Sequence, residues 1–267
     1  MPPIPCIRVD AFTSEPYRGN PAGVFLLDSP AAEAWMQSVS AEMNLSECAY
    51  VSPLSLPNAY QLRWFTPKTE VSLCGHATLA AAHALFETGA VEPNDTLHFH
   101  TKSGILSITK DDAGINMVFP TQMPEPADLP DNLFPMLGLQ PVWTGVAGKK
   151  FMLLLSSAEE VYNCKPDFAA LLTLPGRGLI ITAPSDRPEY DFISRYFAPW
   201  VGVNEDPVTG SAHRTLAPFW AAKLDKNRLT AFQASARSGV VRLELLPGEE
   251  VKISGQCTTI SKGQWFA

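Results

Sequence analysis

The pattern of apolar and polar positions along the chain predicts many short strands and two buried helices. Near the start, apolar side chains alternate at Ile7, Val9 and Ala11, which is the period of a strand with one buried face. Residues 77–86 are apolar nearly all round, so they predict a helix buried on most sides with sheet wrapped about it. A second apolar helix is expected over residues 212–223. The 24 prolines are spread along the chain, as expected where strands and turns outnumber long helices.

An internal repeat organises this pattern. Two copies align in order at one constant offset, and just upstream the segment RWFTP at 63–67 echoes RYFAP at 195–199. The aligned pairs are Gly75 with Gly210, Ala77 with Ala212, Ser103 with Ser238, and Gly104 with Gly239. Each copy predicts an aromatic strand, a polar turn, a glycine that opens an apolar helix, and a Ser-Gly before another strand. We therefore expect two similar domains whose glycine-opened helix N-termini face each other across a cleft.

The chain is long enough for two such domains. Its 267 residues, 46% of them hydrophobic, supply apolar material for two cores of ordinary size. The proline-rich stretch at about 120–130 predicts the linker, which places the domains at 1–122 and 131–267. A proline-rich surface loop inside one domain would have the same composition.

Charge and cysteine usage exclude several classes of protein. The formal net charge is -7, and Lys and Arg are scattered singly, unlike a nucleic-acid or anionic-membrane surface. The five cysteines are widely spaced without a Cys-x-x-Cys pair, which argues against a disulfide framework or a zinc knuckle. No secretory signal is evident, and no apolar run approaches the roughly 20 residues of a membrane-spanning helix. We expect a cytoplasmic protein that does not bind membranes.

The turns before the two predicted helices carry the candidate chemistry. They are EVSLCGHAT at 70–78 and NEDPVTGSAH at 204–213. A helix N-terminus offers unpaired backbone N–H groups and a partial positive charge, so two converging turns predict a site for a small carboxylate or a transient enolate. Alternatively, Asp206, Ser211 and Thr78 only cap their helices. The repetition of the turn favours the anion site.

Other polar side chains have simpler explanations when taken alone. Glu47 has the sequence environment of a solvated surface acid. His98 and His100 fall on one face of a predicted strand, but no third ligand joins them at metal-binding spacing, so an ordinary strand face is favoured. His83 lies within the first apolar helix and is interpreted as a core histidine.

Ordered motifs across almost the whole chain resemble those of the phenazine-biosynthesis PhzF-like family. They are DAFT at 10–13, GNPAGV at 19–24, MNLSE at 43–47, RWFTP at 63–67, CGHAT at 74–78 and EDPVTGSAH at 205–213. The resemblance implies an α+β, diaminopimelate epimerase-like fold. Such a fold has two pseudo-symmetric domains, each a curled, mostly antiparallel sheet around a central helix, with the site in the cleft between them. The resemblance also implies a homodimer.

The resemblance further implies a cofactor-independent isomerase that moves a proton on a small carboxylated, cyclic or unsaturated metabolite. Glu47 matches the acid/base, and His76, Asp206 and Ser211 match the residues that surround and orient the substrate. The remaining predicted substrate-binding positions are Ser46, Gly75, Ala77, Thr209, Gly210 and His213. This chemistry needs no metal, flavin or nicotinamide, and the expected partner is a small-molecule carboxylate.

Two departures from related proteins bear on the reaction. Epimerases and racemases of this fold use one cysteine thiol from each half, whereas here Cys74 is paired in the repeat with Thr209. A threonine hydroxyl is too weak an acid to replace a thiol, so an amino- or hydroxy-acid racemase is the second hypothesis. A non-enzymatic binding or scaffold protein that keeps the cleft is the third. Arg214 stands where small or apolar residues are common, which leaves the substrate open.

Overall fold

The computed structural model describes residues 3–266 and confirms an α+β protein built mostly from strands. The strands are β1 (Ile4–Ala11), β2 (Asn20–Leu26), β3 (Glu47–Pro53), β4 (Ala59–Phe65), β5 (Glu70–Val71), β6 (Leu97–Thr101), β7 (Gly104–Asp111), β8 (Gly114–Pro120), β9 (Glu125–Pro126), β10 (Trp143–Ala147), β11 (Lys150–Leu154), β12 (Gly178–Pro184), β13 (Phe192–Ala198), β14 (Val203–Glu205), β15 (Arg228–Gln233), β16 (Gly239–Leu246), β17 (Glu250–Gly255) and β18 (Cys257–Trp265).

Helices are fewer than strands and mostly short. They are α1 (Glu33–Met43), α2 (Gly75–Glu87), α3 (Leu133–Leu137), α4 (Ala158–Asn163), α5 (Phe168–Leu171) and α6 (Gly210–Leu224), with a 3-10 turn at Pro199–Val201. Within residues 3–266, no helix combines the length and the apolar character needed to cross a membrane.

The chain forms two compact units. Unit 1 comprises the chain up to Val118 together with the chain from Ile253 onward, and unit 2 runs from Phe119 to Lys252. The predicted second domain, 131–267, therefore differs from unit 2 at its C-terminal end. The reason is strand pairing: β18 runs antiparallel to β1 over eight residue pairs, so the last strand of the chain is part of unit 1. The predicted linker also contains β9, which pairs with β10 in unit 2.

The repeat seen in the sequence is matched by the strand pairing inside each unit. In unit 1, β2 runs parallel to β3, β3 antiparallel to β4, β4 parallel to β6, and β6 antiparallel to β7. In unit 2, β11, β12, β13, β15 and β16 pair in the same order with the same directions. Each unit thus has a mixed, mostly antiparallel sheet, with one long helix inserted after the short strand β5 or β14.

The two long helices begin at the glycines that the repeat aligns. In α2 ten residues are buried, and its small alanines let the helix pack closely against β1, β2 and β3. Helix α6 packs on β15 and β16 and contains Pro218, which cannot donate to the carbonyl of Arg214 four residues earlier. The backbone N–H of Gln122 donates to that carbonyl instead, at 3.0 Å, so the proline leaves no unsatisfied acceptor there.

Candidate active site

The predicted acid/base, Glu47, is the first residue of β3. Helix α1 ends at Met43, and Asn44 takes the left-handed conformation (φ 48°) that terminates a helix and that asparagine tolerates well. The chain turns there and enters β3, where Glu47 is paired with Ala22 of the parallel strand β2. The side chain of Glu47 stays 20% exposed, while Cys48 beside it points into the core.

The predicted partner His76 is the second residue of α2 and is buried. The start of α2 is fastened by Thr78, whose backbone N–H and hydroxyl both donate to the carbonyl of Cys74, at 3.1 and 2.6 Å. This arrangement fixes the first turn of the helix and therefore the direction of the imidazole. The backbone N–H groups of Gly75 and His76 have no acceptor among the described residues, so they can receive an anion.

Glu47, His76 and Cys74 form one contact chain inside unit 1. The Nε2 atom of His76 lies 3.3 Å from Oε2 of Glu47, and its Nδ1 atom lies 3.4 Å from the sulfur of Cys74. The hydroxyl of Ser46 lies 3.4 Å from the same Nε2 atom and donates to Oδ1 of Asn20 at 3.3 Å. Asn20 is a member of this group that the sequence did not single out as a site residue.

Burial sets the protonation state of His76. Removal from water lowers its pKa to about 3. At neutral pH the imidazole is therefore neutral, with one N–H and one bare nitrogen. It can donate to Glu47 through Nε2 and accept from the Cys74 thiol through Nδ1. This arrangement orients the carboxylate and provides a route for a proton.

The same three side chains could also serve as metal ligands. One oxygen, one sulfur and one nitrogen from Glu47, Cys74 and His76 all lie within 4.8 Å of one another. The carboxylate oxygen is 3.3 Å from Nε2, as between ligands of a tetrahedral zinc ion, whereas the sulfur at 4.0 Å is farther away than such a site requires. Proton transfer by the carboxylate does not require such an ion.

In unit 2, the equivalent turn is held by residues around Asp206. The hydroxyl of Thr209 donates to the Asp206 carboxylate at 2.5 Å. Gln233, which is fully buried on β15, donates to the Asp206 carbonyl at 2.7 Å and accepts from the Thr209 backbone N–H at 2.9 Å. Gln233 therefore positions this turn. Sequence reasoning missed it, because an isolated glutamine in a strand carries no local signal for such a role.

The first turn of α6 contains the remaining predicted residues. The backbone N–H groups of Gly210 and Ser211 have no acceptor among the described residues, as in the equivalent turn of unit 1. Ser211 is exposed, and its carbonyl accepts from the Lys150 ammonium at 2.8 Å. Two predicted contact residues, Ala77 of unit 1 and His213 of unit 2, are fully buried.

His213 occupies the interior of unit 2. Its Nδ1 atom lies 2.8 Å from the carbonyl of Thr209, and its ring stacks on Phe192. Burial lowers its pKa to about 4, although the hydrogen bond to Thr209 partly opposes this shift. His213 therefore supports the helix start from within.

An equivalent ion pair precedes the helix in each unit. Arg63 of β4 binds Glu70 with two hydrogen bonds of 2.7 Å, and Arg195 of β13 binds Glu205 in the same two-pronged way. Both guanidinium groups also lie over a ring two residues later, at 5.1 and 4.8 Å from the centroids. The repeat therefore extends to the side chains that fix both turns.

The predicted site residues thus fall into two groups. Ser46, Glu47, Gly75, His76 and Ala77 lie at one place in unit 1, and Asp206, Thr209, Gly210, Ser211 and His213 lie at one place in unit 2. That both groups act on one substrate stays a prediction.

Comparisons with known proteins agree with the fold and its motifs. The sequence profile of the family described as phenazine biosynthesis-like protein matches residues 9–263. An uncharacterized isomerase of Pseudomonas aeruginosa is 48% identical over 259 residues, covering 96% of both chains. The crystal structure of a phenazine biosynthesis protein of Enterococcus faecalis is 39% identical with a TM-score of 0.94, over 99% of this chain and all of that one. A probable proline racemase from Agrobacterium radiobacter shares only the fold, with 12% identity, 98% and 93% coverage and a TM-score of 0.63.

Proposed function

Since the chain belongs to the phenazine biosynthesis-like family, we propose that it is an isomerase that moves a proton on a small carboxylated metabolite. Relatives described as isomerases support the reaction class. The proposed substrate is cyclic or unsaturated, as the resemblance to the family implies, and the proton shift itself requires a double bond next to the carbon that loses the proton. A homodimer stays a prediction of the resemblance, and a cytoplasmic location stays a prediction from the sequence.

The contact between Glu47 and His76 carries this proposal. The Glu47 carboxylate takes a proton from a carbon of the substrate, and the C–H electrons form a new double bond as the old one shifts. The same carboxyl group returns the proton to another carbon, so no oxidant, reductant or co-substrate is consumed. The neutral His76 imidazole holds the carboxylate in place through the 3.3 Å contact. The free backbone N–H groups at Gly75 and at Gly210 are the proposed donors to the substrate carboxylate and to charge that develops during transfer.

A racemase that uses two opposed thiols is less well supported. Cys74 has Thr209 as its counterpart, and the Thr209 hydroxyl already donates its proton to Asp206 at 2.5 Å. A hydroxyl engaged in this way cannot act as the second thiol would. A purely binding protein is distinguished from the enzyme by the exchange experiment that follows.

Deuterium exchange from heavy water into bound ligands tests the proposal before the substrate is known. The protein is incubated with a panel of cyclic and unsaturated carboxylates, and deuterium uptake is followed by NMR or mass spectrometry. Glu47→Gln keeps the shape of the side chain but cannot exchange a proton, so we expect exchange to slow by about a hundred to ten thousand fold with ligand binding retained.

Glu42→Gln is the matched control, because Glu42 lies exposed near the end of α1 and only five positions before Glu47. It should leave the exchange rate unchanged. Exchange at the wild-type rate in Glu47→Gln would contradict the assigned role and direct attention to Cys74. Binding without exchange by the wild-type protein, for every ligand that binds, would favour the binding-protein hypothesis.

A further inference from the structure

Lys150 and Arg214 lie at the start of α6 in unit 2, and Arg177 is close enough to Lys150 for its charge to act on it. Lys150 is the first residue of β11, and its ammonium donates to the Ser211 carbonyl at 2.8 Å. Arg177 directly precedes Gly178, which is paired with Lys150 across the parallel strands β11 and β12. Arg214 lies on α6, one turn after Ser211. We call these three residues the cation cluster.

The cation cluster has no counter-ion among the described residues. None of its three members forms an ion pair, whereas two other arginines of unit 2, Arg187 and Arg195, each bind a glutamate. The contrast is notable in a protein with a formal net charge of -7. Lys150 and Arg214 are partly buried, so each has lost some of the water that would otherwise screen it, whereas Arg177 is exposed.

The positive charges of Arg214 and Arg177 act on Lys150. The pKa of Lys150 is lowered to about 8, first by burial and then by the positive charges of Arg214 and Arg177. Mutual repulsion of this kind is relieved when an anion binds among the cations. The arrangement therefore disfavours the empty state and favours an anionic guest.

Arg214 is oriented for such a guest. Its Nε atom donates to the Pro120 carbonyl at 2.7 Å, and its guanidinium lies 5.9 Å from the centre of the Phe119 ring. These contacts tether the side chain but use only one of its five N–H donors. The other four have no acceptor among the described residues, and a carboxylate is the group that a guanidinium binds with two parallel hydrogen bonds.

We propose that the cation cluster of Lys150, Arg177 and Arg214 binds a second carboxylate of the substrate, so that the substrate is a dicarboxylate. The first carboxylate is assigned to the N-terminus of α6 in the same unit, and this assignment rests on the proposed function. The cluster selects between substrates that differ in one acidic group, and its members are specificity residues.

Two ring-matched probes test the proposal by calorimetry and thermal shift. Benzoate carries one carboxylate, and isophthalate adds a second on the same ring. We expect isophthalate to bind at least about tenfold more tightly than benzoate, because its second carboxylate adds charge-assisted hydrogen bonds that benzoate cannot make. The preference should weaken as salt is raised from low to high concentration.

Variants of the cation cluster test whether it causes the preference for isophthalate over benzoate. Lys150→Met and Arg214→Gln should each remove most of it, and Lys150→Arg should retain it. Lys149→Met is the matched control, because Lys149 is the exposed neighbour and carries the same charge. A general loss of structure in a variant would weaken both probes equally, so the ratio between them is the diagnostic quantity.

The proposal is overturned if isophthalate fails to bind, if both probes bind equally, or if Lys150→Met keeps the preference. Failure of the proposed function has a different signature. In that case the wild-type protein and Glu47→Gln would both retain the preference for isophthalate, while no ligand would take up deuterium.

Discussion

Replacing Arg195 should destabilise unit 2 far more than replacing an exposed arginine with similar contacts. The Arg195 guanidinium donates to both oxygens of Glu205, at 2.7 and 2.9 Å. It also donates to the carbonyls of Val161 and Cys164 at the end of α4, at 3.1 and 2.7 Å. A cation at a helix C-terminus binds carbonyls that have no partner within the helix, so this single side chain joins α4 to the turn before α6.

The expected loss of stability follows from the burial of the ion pair. The side chains of Arg195 and Glu205 are only 13% and 20% exposed, so Arg195→Met leaves a partly buried carboxylate and two carbonyls without their donor. Removing one partner of such a pair lowers the free energy of unfolding by about 3 kcal/mol. Arg187 provides the control, because it also binds a glutamate and lies over the Tyr190 ring, but it is 43% exposed. Arg187→Met should cost about 0.5 kcal/mol.

Urea unfolding followed by tryptophan fluorescence measures the difference. With a slope of about 1–3 kcal/mol per molar urea, a loss of about 3 kcal/mol lowers the midpoint by roughly 1–3 M. The double variant Arg195→Met/Glu205→Gln should recover part of the loss, because the stranded charge is removed as well. Equal losses in Arg195→Met and Arg187→Met would refute the reasoning that burial of the pair decides its contribution.

Two further predictions concern unit 2. Because burial keeps the pKa of His213 at about 4, below its ordinary value of about 6.5, the unfolded chain binds the proton first as the pH falls, and stability is lost below about pH 6.5. Between pH 7 and pH 5 this effect lowers the free energy of unfolding by about 2 kcal/mol. The difference between the urea midpoints at the two pH values should therefore be smaller for His213→Gln than for the wild-type protein. An unchanged difference would contradict the assignment. A Cβ atom at Gly178 would lie 2.1 Å from the Tyr196 hydroxyl, so Gly178→Ala should cost about 1–3 kcal/mol in thermal unfolding. Gly263→Ala is the control and should be nearly neutral, because its added Cβ meets nothing within 4 Å. Equal losses of stability in the two variants would show that the close approach to Tyr196 is relieved without cost.

Local patterns in the sequence were sufficient for the repeat and for the helix starts. The repeat aligned Gly75 with Gly210, and both residues begin the long helices α2 and α6. The apolar character of α2 on all sides likewise predicted its burial. These features are encoded in residues that are neighbours along the chain, because helical periodicity and the glycine at a helix start depend on local geometry.

Tertiary structure alone decided which distant segments meet. The pairing of β18 with β1 moved the C-terminal strand into unit 1, although the sequence placed it in the second domain. The 3.3 Å contact between Glu47 and His76, the role of Gln233 in the second turn and the gathering of Lys150 beside Ser211 have no local signal either. Each depends on contacts between residues far apart in the chain and on the removal of water around them. A short stretch of sequence determines how a segment folds locally, but the environment that sets its charge state and partners forms only when the whole chain packs.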